Sequence, residues 1–361
     1  MKLTTYTLRM LTLLPVAALI AGCSVGGFET VSSSEPRPDW CGPNEAVIGF
    51  ADGSGGNSWK RTNFAELQDE LAKCSSVTDF ITTDAQGDTQ KAIADIKSLG
   101  AQGVDGMLVF PDAGQAILPA LRYEYKAGVA VVPYRISPGG SEGSEYTTFV
   151  AADFGAIGRL YAEWLVKSLP NGEGNVLFLG GPPANSQDLA EYEGMQEVLV
   201  DHPGIKLIGD QPFTVTNWTP AETQQATSTM LSRFPQIDAV MTDFAATSIM
   251  TAFQQAGRPL PLIASADSNG LSCQYAQLKD ANPGFELFTV TSQTYMVRLA
   301  VQHVVAEATG GIAPESKVDV PVAFEDSISA EPSAPICNPA LPEDALLSST
   351  LDPQRIGEVL Q

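Results

Sequence analysis

Short apolar runs alternate with amphipathic stretches along most of the chain. The first run, residues 46–50, has the length and composition of a buried strand and is followed by Gly and Ser residues. Apolar side chains then recur at Phe64, Leu67 and Leu71, a spacing that brings them to one face of a helix. The pattern therefore predicts a strand over 46–50 and a helix over 59–73.

The same strand–helix unit repeats through the first part of the chain. The pattern predicts further strands over residues 77–81, 104–110 and 129–133. It predicts further helices over about 88–100 and 113–127, and Asp88 is expected to cap the first of these two helices. Alternation at this spacing is typical of βαβ units, so we expect a parallel sheet covered by helices on both faces.

A second series of strands and helices follows the first. Its predicted helices lie over residues 154–169, 187–200, 220–233 and 245–255. Its predicted strands lie over residues 175–179, 205–208, 238–241 and 262–265. Two series predict two doubly wound lobes. Because ligands of parallel sheets bind beyond the carboxyl ends of the strands, the residues just after each strand are the first candidates for a site.

The composition narrows the range of functions that the chain could have. The chain has 361 residues, 44% of them hydrophobic and 17% charged, which is typical of a globular protein with a large core. It carries 20 Lys+Arg against 42 Asp+Glu, a formal net charge of −22. This balance argues against a partner such as nucleic acid or an anionic membrane, which needs clustered basic side chains. The chain has only two His, so most His-dependent chemistry is not expected.

The N-terminus has the features of an export signal. Lys2 and Arg9 precede an apolar stretch over 10–22, which ends in the sequence LIAG before Cys23. This order resembles the signal peptide and lipobox of bacterial lipoproteins. The resemblance implies a signal peptide over 1–22, lipidation of Cys23 and a flexible Ser- and Pro-rich tether over 23–40. We expect a protein that is exported and is either held by lipid at the outer face of the bacterial cell membrane or periplasmic.

The other four cysteines, Cys41, Cys74, Cys273 and Cys337, suit an oxidising compartment. They contain no C-x-x-C pair and few His are available, so no metal site is expected. Four cysteines allow three pairings. The end of a helix in a βα unit returns to the start of its strand, which favours Cys41–Cys74. The pair Cys273–Cys337 would tie down the Pro-rich tail around residues 332–339.

Several segments together resemble one family. In the first half these are DTQKAIADIKSL at 88–99, GVDGMLV at 103–109 and AGVAVVP at 127–133. Others are GF at 49–50, GNSW at 56–59, AVM at 239–241, AG at 256–257 and IASAD at 263–267. Over about residues 45–325 the chain resembles the ribose-binding-type, class I periplasmic proteins, the sugar-binding components of ABC importers. The sugar-responsive repressors of the same fold carry an N-terminal helix-turn-helix, and here that place holds the lipobox.

The resemblance implies an α/β fold of two doubly wound parallel-sheet lobes joined by a multi-stranded hinge, the periplasmic binding protein type I fold. Lobe 1 is expected to comprise residues 41–151 plus 292–318, and lobe 2 residues 152–291 plus 319–361. The implied function is that of a monomeric lipoprotein that binds a neutral monosaccharide or polyol and delivers it to an ABC permease with its ATPase. The alternatives are a ligand-sensing lipoprotein that feeds a membrane receptor, and a secreted hydrolase.

Sugar sites need flat aromatic side chains for the C–H faces and fixed polar groups for the hydroxyls. The resemblance implies that Trp59 and Trp218 stack on the ligand from different lobes. It implies polar or further aromatic contacts at Asn57, Tyr134, Arg135, Asn185, Asp188, Asp243, Phe244, Asp267, Ser292 and Gln293. Among Thr291, Ser292 and Gln293 the contacting residue stays open. Where the family carries an Arg, this chain has Leu189, which leaves Asn185 and Asp188 as candidates in that loop. Each candidate also has a structural alternative, namely core packing, a turn, an ion pair or a helix cap.

Signals for catalysis are weak. The sequence GGSEG at 139–143 matches G-x-S-x-G, but it lies in a Gly- and Ser-rich loop with no predicted helix after it. His202 and His303 are the only possible bases of a triad. We therefore expect neither an enzyme nor a cofactor. Acidic residues of the first helix, such as Glu66 and Glu70, are expected to form a solvated face.

Overall fold

The computed structural model describes residues 37–329 and 333–361. The predicted signal peptide, Cys23 and most of the tether lie outside these residues. The strands are β1 (Ala46–Asp52), β2 (Val77–Asp84), β3 (Gly106–Val109), β4 (Ala130–Arg135), β5 (Val150–Ala151), β6 (Gly174–Gly180), β7 (Ile205–Ile208), β8 (Thr214–Val215), β9 (Ala239–Thr242), β10 (Leu262–Ala266), β11 (Leu287–Val290) and β12 (Ala323–Asp326). The α-helices are α1 (Ser58–Leu71), α2 (Thr89–Ala101), α3 (Leu118–Lys126), α4 (Phe154–Ser168), α5 (Ser186–Leu199), α6 (Pro220–Arg233), α7 (Ala246–Gln255), α8 (Asn269–Leu278), α9 (Met296–Thr309) and α10 (Pro353–Leu360). In the described part of the chain, no helix combines the length and apolarity needed to cross a membrane.

The strands form two sheets. The first has the order β2-β1-β3-β4-β5, and all its neighbouring strands are parallel. The second has seven strands in the order β12-β11-β10-β9-β6-β7, with β8 beside β6. Its strands are parallel except β12, which runs antiparallel to β11. Parallel strands connected by helices confirm the predicted α/β fold of two doubly wound units.

The chain passes between the two sheets several times. It leaves the first sheet after β5, returns after β11 to form α9 against the first sheet, and goes back to pair β12 with β11. The segment that leaves the first sheet after β5 is hydrogen-bonded to the segment that leads back to β12. The Asp153 amide donates to the carbonyl of Asp319 at 2.9 Å. The Asp319 amide in turn donates to the carbonyl of Ala151 at 2.8 Å.

Local sequence signals explain where most elements begin. The Asp88 carboxylate caps α2 by accepting from the Lys91 amide at 2.7 Å, as predicted. One predicted helix differs, because residues 113–127 divide into a 3₁₀ turn, Gly114–Ile117, and then α3. Pro119 in the first turn of α3 suits a helix start, since its missing N–H needs no partner there.

Both disulfides connect the cysteines that were expected to pair. Cys41 and Cys74 are bonded across the start of β1 and the end of α1. Cys273 in α8 is bonded to Cys337. We call residues 333–361 the C-terminal strap. The second disulfide attaches this strap to α8, which lies on the side of the second sheet.

The end of the C-terminal strap differs from the sequence prediction, which assigned all of residues 319–361 to lobe 2. Helix α10 packs instead on α1, and Ile356 and Leu360 form a small apolar cluster with Ala65. The strap is held near α8 by the Asn269 amide nitrogen, which donates to three of its backbone carbonyls. The strap therefore contacts both halves of the fold.

The acidic face of α1 is also not the solvated face that was expected. Glu66 and Glu70 are 0% and 2% exposed. Arg298 of α9 pairs with Glu66 at 2.8 Å and with Glu70 at 3.2 Å. Glu66 also accepts hydrogen bonds from Ser349 Oγ at 2.7 Å and from Thr350 Oγ1 at 2.6 Å. This carboxylate therefore joins α1, α9 and the C-terminal strap.

Candidate functional site

A cavity of about 730 Å³ lies between the two sheets. Loops that follow strands of both sheets line it, as expected at the carboxyl ends of parallel strands. Its volume falls within the range of small-molecule sites. Eight of the twelve predicted site residues line this cavity: Asn57, Trp59, Arg135, Asn185, Trp218, Asp243, Phe244 and Ser292.

Trp59 is placed at the cavity by the first turn of α1. Asn57 caps that helix, and its side chain accepts from the Lys60 amide at 2.9 Å. The Trp59 indole N–H donates to the Ser292 carbonyl at 2.8 Å, which ties it to the chain crossing after β11. Its ring meets the edge of Phe110 with the centroids 5.6 Å apart. Half-buried and fixed in this way, Trp59 presents a flat apolar surface to the cavity.

Trp218 reaches the cavity from the second sheet's side. Its ring lies directly over Gly181, where an added Cβ would come within 2.2 Å of the indole. The Trp218 indole N–H is buried and makes no hydrogen bond to any described residue. Trp218 has a left-handed backbone, with φ of 51°. Such strained residues are frequent at binding sites, and four of the eight non-glycine examples in the described chain line this cavity: Arg135, Ala184, Asn217 and Trp218.

Arg135 ends β4 and is 8% exposed. Its guanidinium lies 4.6 Å from the Trp59 ring centre and 5.1 Å from that of Phe154. Burial lowers the pKa of Arg135, and the negative charges of Asp243 and Glu191 oppose that effect. The polar contacts of the guanidinium, to the side-chain oxygens of Gln187 and Gln293, are long at 3.5 Å. Its donors are therefore weakly engaged and available to a bound molecule.

Lys60 and Asp112 line the cavity but were not predicted. The Lys60 ammonium lies 3.2 Å from Asp112 and 2.8 Å from Asp52, and it sits 3.1 Å above the centre of the Phe110 ring. Burial raises the pKa of Asp112, and the positive charge of Lys60 opposes this shift. Asp112 follows the carboxyl end of β3, so the rule applied to the other strands could have found it.

The charged groups on the cavity wall balance. Among the described residues they are two cations, Lys60 and Arg135, and two acids, Asp112 and Asp243. Asp243 accepts a hydrogen bond from the Gln187 amide at 3.0 Å. Asn185 caps α5 and accepts from the Asp188 amide at 2.9 Å. The wall therefore offers both donors and acceptors without a net charge.

Four predicted residues do not line this cavity. Tyr134 is fully buried, and its hydroxyl donates to Asn63 at 2.7 Å. Gln293 is also buried, and its amide donates to the Asp319 carboxylate at 2.7 Å. Asp188 lies behind the wall, where it accepts from the Gly181 amide at 2.6 Å. These three residues support the wall from behind.

Asp267 is the fourth, and its surroundings differ from the expectation. It is 1% exposed and accepts from the Ser292 amide at 2.9 Å. Ser348 of the C-terminal strap supplies two more donors, its amide at 2.8 Å and its hydroxyl at 2.6 Å. Burial raises the pKa of Asp267, and these hydrogen bonds oppose the shift. The Ser348 hydroxyl thus donates to the Asp267 carboxylate, which was expected to accept hydrogen bonds from ligand hydroxyls.

A profile of the family described as periplasmic binding protein domain matches residues 48–312. The chain belongs to this family, whose members bind solutes and are not enzymes. The family is one of proteins exported to the periplasm.

Two individual relatives align with part of the chain at less than 30% identity. The chain is 26% identical over 200 residues to the xylitol-binding protein of Mycolicibacterium smegmatis, an alignment that covers 55% of each chain. It is 29% identical over 167 residues to the galactofuranose-binding protein YtfQ of Escherichia coli, covering 46% of this chain and 51% of the relative. The chain thus spans about half the length of these relatives.

Solved structures share the fold. The solute-binding protein of an ABC transporter from Thermobispora bispora superimposes with a TM-score of 0.67 at 21% identity, covering 78% of this chain and 85% of the other. The Caulobacter myo-inositol-binding protein, bound to myo-inositol, gives 0.64 at 22% identity, covering 81% and 95%. These similarities support the type I periplasmic binding protein fold.

Proposed function

We propose that this protein is the solute-binding lipoprotein of an ABC importer, which captures a neutral sugar or polyol between its two lobes and delivers it to a membrane permease. The observation that carries the proposal is the cavity between the sheets, with Trp59 from one side and Trp218 from the other on its wall. Flat indole faces suit the C–H faces of a sugar or polyol. Relatives named for binding xylitol and galactofuranose support this class of ligand.

The balanced wall supports a ligand without charge. The acids Asp112 and Asp243 offset the cations Lys60 and Arg135, so an anionic ligand would bring an excess negative charge into a confined space. Hydroxyl groups can both donate to the carboxylates and accept from the guanidinium. In this proposal Arg135, Asp112 and Asp243 bind the polar rim of the ligand.

Closure of the lobes around the ligand is part of the proposal. We assign residues 41–151 plus 292–318 to lobe 1 and 152–291 plus 319–349 to lobe 2, and we place the remaining residues with lobe 1 because α10 packs on α1. The segments that cross between the sheets would act as the hinge. Lipidation of Cys23 would hold the protein at the outer face of the cell membrane near its permease. Metabolic labelling with a fatty acid tests this anchoring: the unchanged protein should carry the label and the Cys23→Ala variant should not. Absence of label from the unchanged protein, or equal labelling of both proteins, would contradict the proposal.

Isothermal titration calorimetry against neutral pentoses, hexoses and polyols, with sugar phosphates in parallel, tests the ligand class. Trp59→Ala and Trp218→Ala should each weaken binding of the best neutral ligand by roughly 1–3 kcal/mol, the scale of a lost buried aromatic contact. Tyr123→Ala is the matched control, because Tyr123 is 66% exposed and lies away from the cavity wall. Binding of a sugar phosphate alone, or full affinity in both tryptophan variants, would refute the proposal.

A further inference from the structure

Three carboxylates meet behind the cavity wall. Asp188, Glu191 and Asp243 each place an oxygen within 4.8 Å of the oxygens of the other two. Asp188 and Glu191 come from α5 and are fully buried, whereas Asp243 follows β9 and is half-buried. No spacing motif reveals this cluster, because its members come from two distant segments. Three like charges in such a small volume require compensation.

The described residues supply only part of that compensation. Both carboxylate oxygens of Glu191 and the Oδ1 atom of Asp188 are buried, and no donor of the described chain lies in good hydrogen-bond geometry to them. Asp243 lies close to both acids and Gln187 lies close to Glu191, and burial together with Asp243 raises the pKa of Asp188 and of Glu191 well above the usual range. Arg135 is close enough for its pKa to be raised by Asp243 and Glu191, but it stacks on aromatic rings and forms no ion pair with them among the described residues. Buried acceptors that lack donors are rare in native proteins and point to a missing group.

A fourth oxygen faces the same place from a different helix. Tyr161 of α4 is fully buried, and its hydroxyl finds no partner among the described residues. Tyr161 lines the cavity beside Asp243. Burial raises the pKa of Tyr161, and so do the charges of Asp243, Glu191 and Asp188, so its hydroxyl lies near the cluster. Tyr161 is not an acid of the cluster, so its unpaired hydroxyl is an independent sign that a ligand belongs there.

The packing of α4 on α5 fixes these groups. An added Cβ at Gly158 would lie 1.9 Å from the Glu191 carbonyl, and one at Gly194 would lie 2.1 Å from the Gly155 carbonyl. The two helices are therefore in backbone contact beside the cluster. This contact leaves Tyr161 and Glu191 little freedom to turn towards solvent.

We propose that Asp188, Glu191 and Asp243, with the hydroxyl of Tyr161, form a binding site for a hard divalent cation of the size of Ca²⁺. Ca²⁺ binds oxygen ligands at 2.3–2.6 Å in flexible geometry, so ligand oxygens on opposite sides of one ion lie about 4.6–5.2 Å apart. The oxygens of the cluster satisfy that limit. A cation would satisfy the unpaired oxygens and neutralise the buried charge together.

A free ion suits this place better than a charged group of the solute. Of the four proposed cation ligands, Asp243 and Tyr161 line the cavity, whereas Glu191 and Asp188 do not. A group of the solute would meet Asp243 first and would leave both oxygens of Glu191 unpaired. A small ion can enter past Asp243 and bind all three carboxylates. The cation site shares Asp243 with the proposed solute site, whereas Asp188 and Glu191 belong to the cation site alone. Calcium binding measured without sugar is therefore tested separately from solute binding.

Calcium binding to the full chain tests the proposal. The protein is stripped with a chelator, transferred to metal-free buffer without sugar, and titrated with CaCl₂ by calorimetry, with thermal unfolding followed in parallel. We expect one Ca²⁺ per chain and an unfolding temperature that rises with the Ca²⁺ concentration. Glu191→Gln and Asp188→Asn should each weaken Ca²⁺ binding at least tenfold, since each removes a charged ligand.

Glu325→Gln is the matched control. Glu325 is another buried Glu, but its oxygens accept from Ser272, Thr289 and the Ile336 amide. This variant should bind Ca²⁺ as the unchanged protein does. If the folded, unchanged protein binds no Ca²⁺, the proposal is wrong and the carboxyl groups share protons instead. A Ca²⁺ response that survives in Glu191→Gln would also overturn it. Because the first measurement uses the unchanged protein, the test holds even if a variant fails to fold.

Discussion

Glu66 offers the most direct test of how the C-terminal strap is held. Its buried carboxylate pairs with Arg298 and accepts hydrogen bonds from Thr294 Oγ1 at 2.9 Å and from Ser349 and Thr350 of the strap. Glu66→Ala removes one partner of a buried ion pair and leaves these donors unpaired. Such losses cost about 3–5 kcal/mol. In a chain of this size, each kcal/mol lost from the free energy of unfolding lowers the unfolding temperature by about 2 °C. The unfolding temperature of Glu66→Ala should therefore fall by roughly 6–10 °C.

Asp69→Ala is the control, because it truncates an acid on the same helix that is less buried. The Asp69 side chain is 38% exposed, and its ion pairs with Arg298 and Arg355 are long, at 3.8 Å and 3.9 Å. Pairs of this kind contribute about 1 kcal/mol or less. Thermal and urea unfolding followed by circular dichroism measures both variants at neutral pH. Equal losses in Glu66→Ala and Asp69→Ala would show that the buried network does not anchor the strap.

Three further predictions concern stability. Replacing Cys41 and Cys74 together with Ala should lower the free energy of unfolding by about 3–4 kcal/mol, from the loop that their bond closes, and urea unfolding measures it. Gly158→Ala should destabilise by about 1–3 kcal/mol because the new methyl meets the backbone of α5, whereas Gly284→Ala, which has open space, should not. Burial lowers the pKa of His303 below its usual 6.5. As the pH falls through 6.5, His303 is therefore protonated in the unfolded chain before it is protonated in the folded chain. The free energy of unfolding decreases from pH 6.5 down to the lower pKa of the folded state. His303→Leu should remove this component, and unchanged pH dependence of unfolding would contradict it.

Periodicity and strand–helix alternation predicted four strands of each sheet, because those signals are local. The two-residue strands β5 and β8 and the strands β11 and β12 were not predicted. Two failures at the cavity were also predictable in physical terms. Tyr134 and Arg135 are neighbours on β4, and successive side chains of a strand point to opposite faces, so only one of them could face the cavity. Asp112 follows β3 as the other candidates follow their strands, and it was overlooked.

The remaining differences depend on contacts between distant segments. Asp267 follows β10 as expected, but Ser348, far along the chain, occupies its oxygens. Glu66 looks like a surface residue of α1 until α9 supplies Arg298 and the strap supplies Thr350. No periodicity in the neighbourhood of either acid encodes these partners, so a reading of local patterns cannot find them.

The cysteine pairing has a consequence for the order in which bonds can form. Each disulfide joins two cysteines that are consecutive along the described chain, so no cysteine lies inside either loop. A chain that emerges from a translocation channel N-terminus first exposes Cys74 while Cys273 is still inside. With Cys23 lipidated, as proposed, an oxidant that joins the remaining thiols in order of their appearance makes Cys41–Cys74 and later Cys273–Cys337 without an isomerase to exchange wrong pairs.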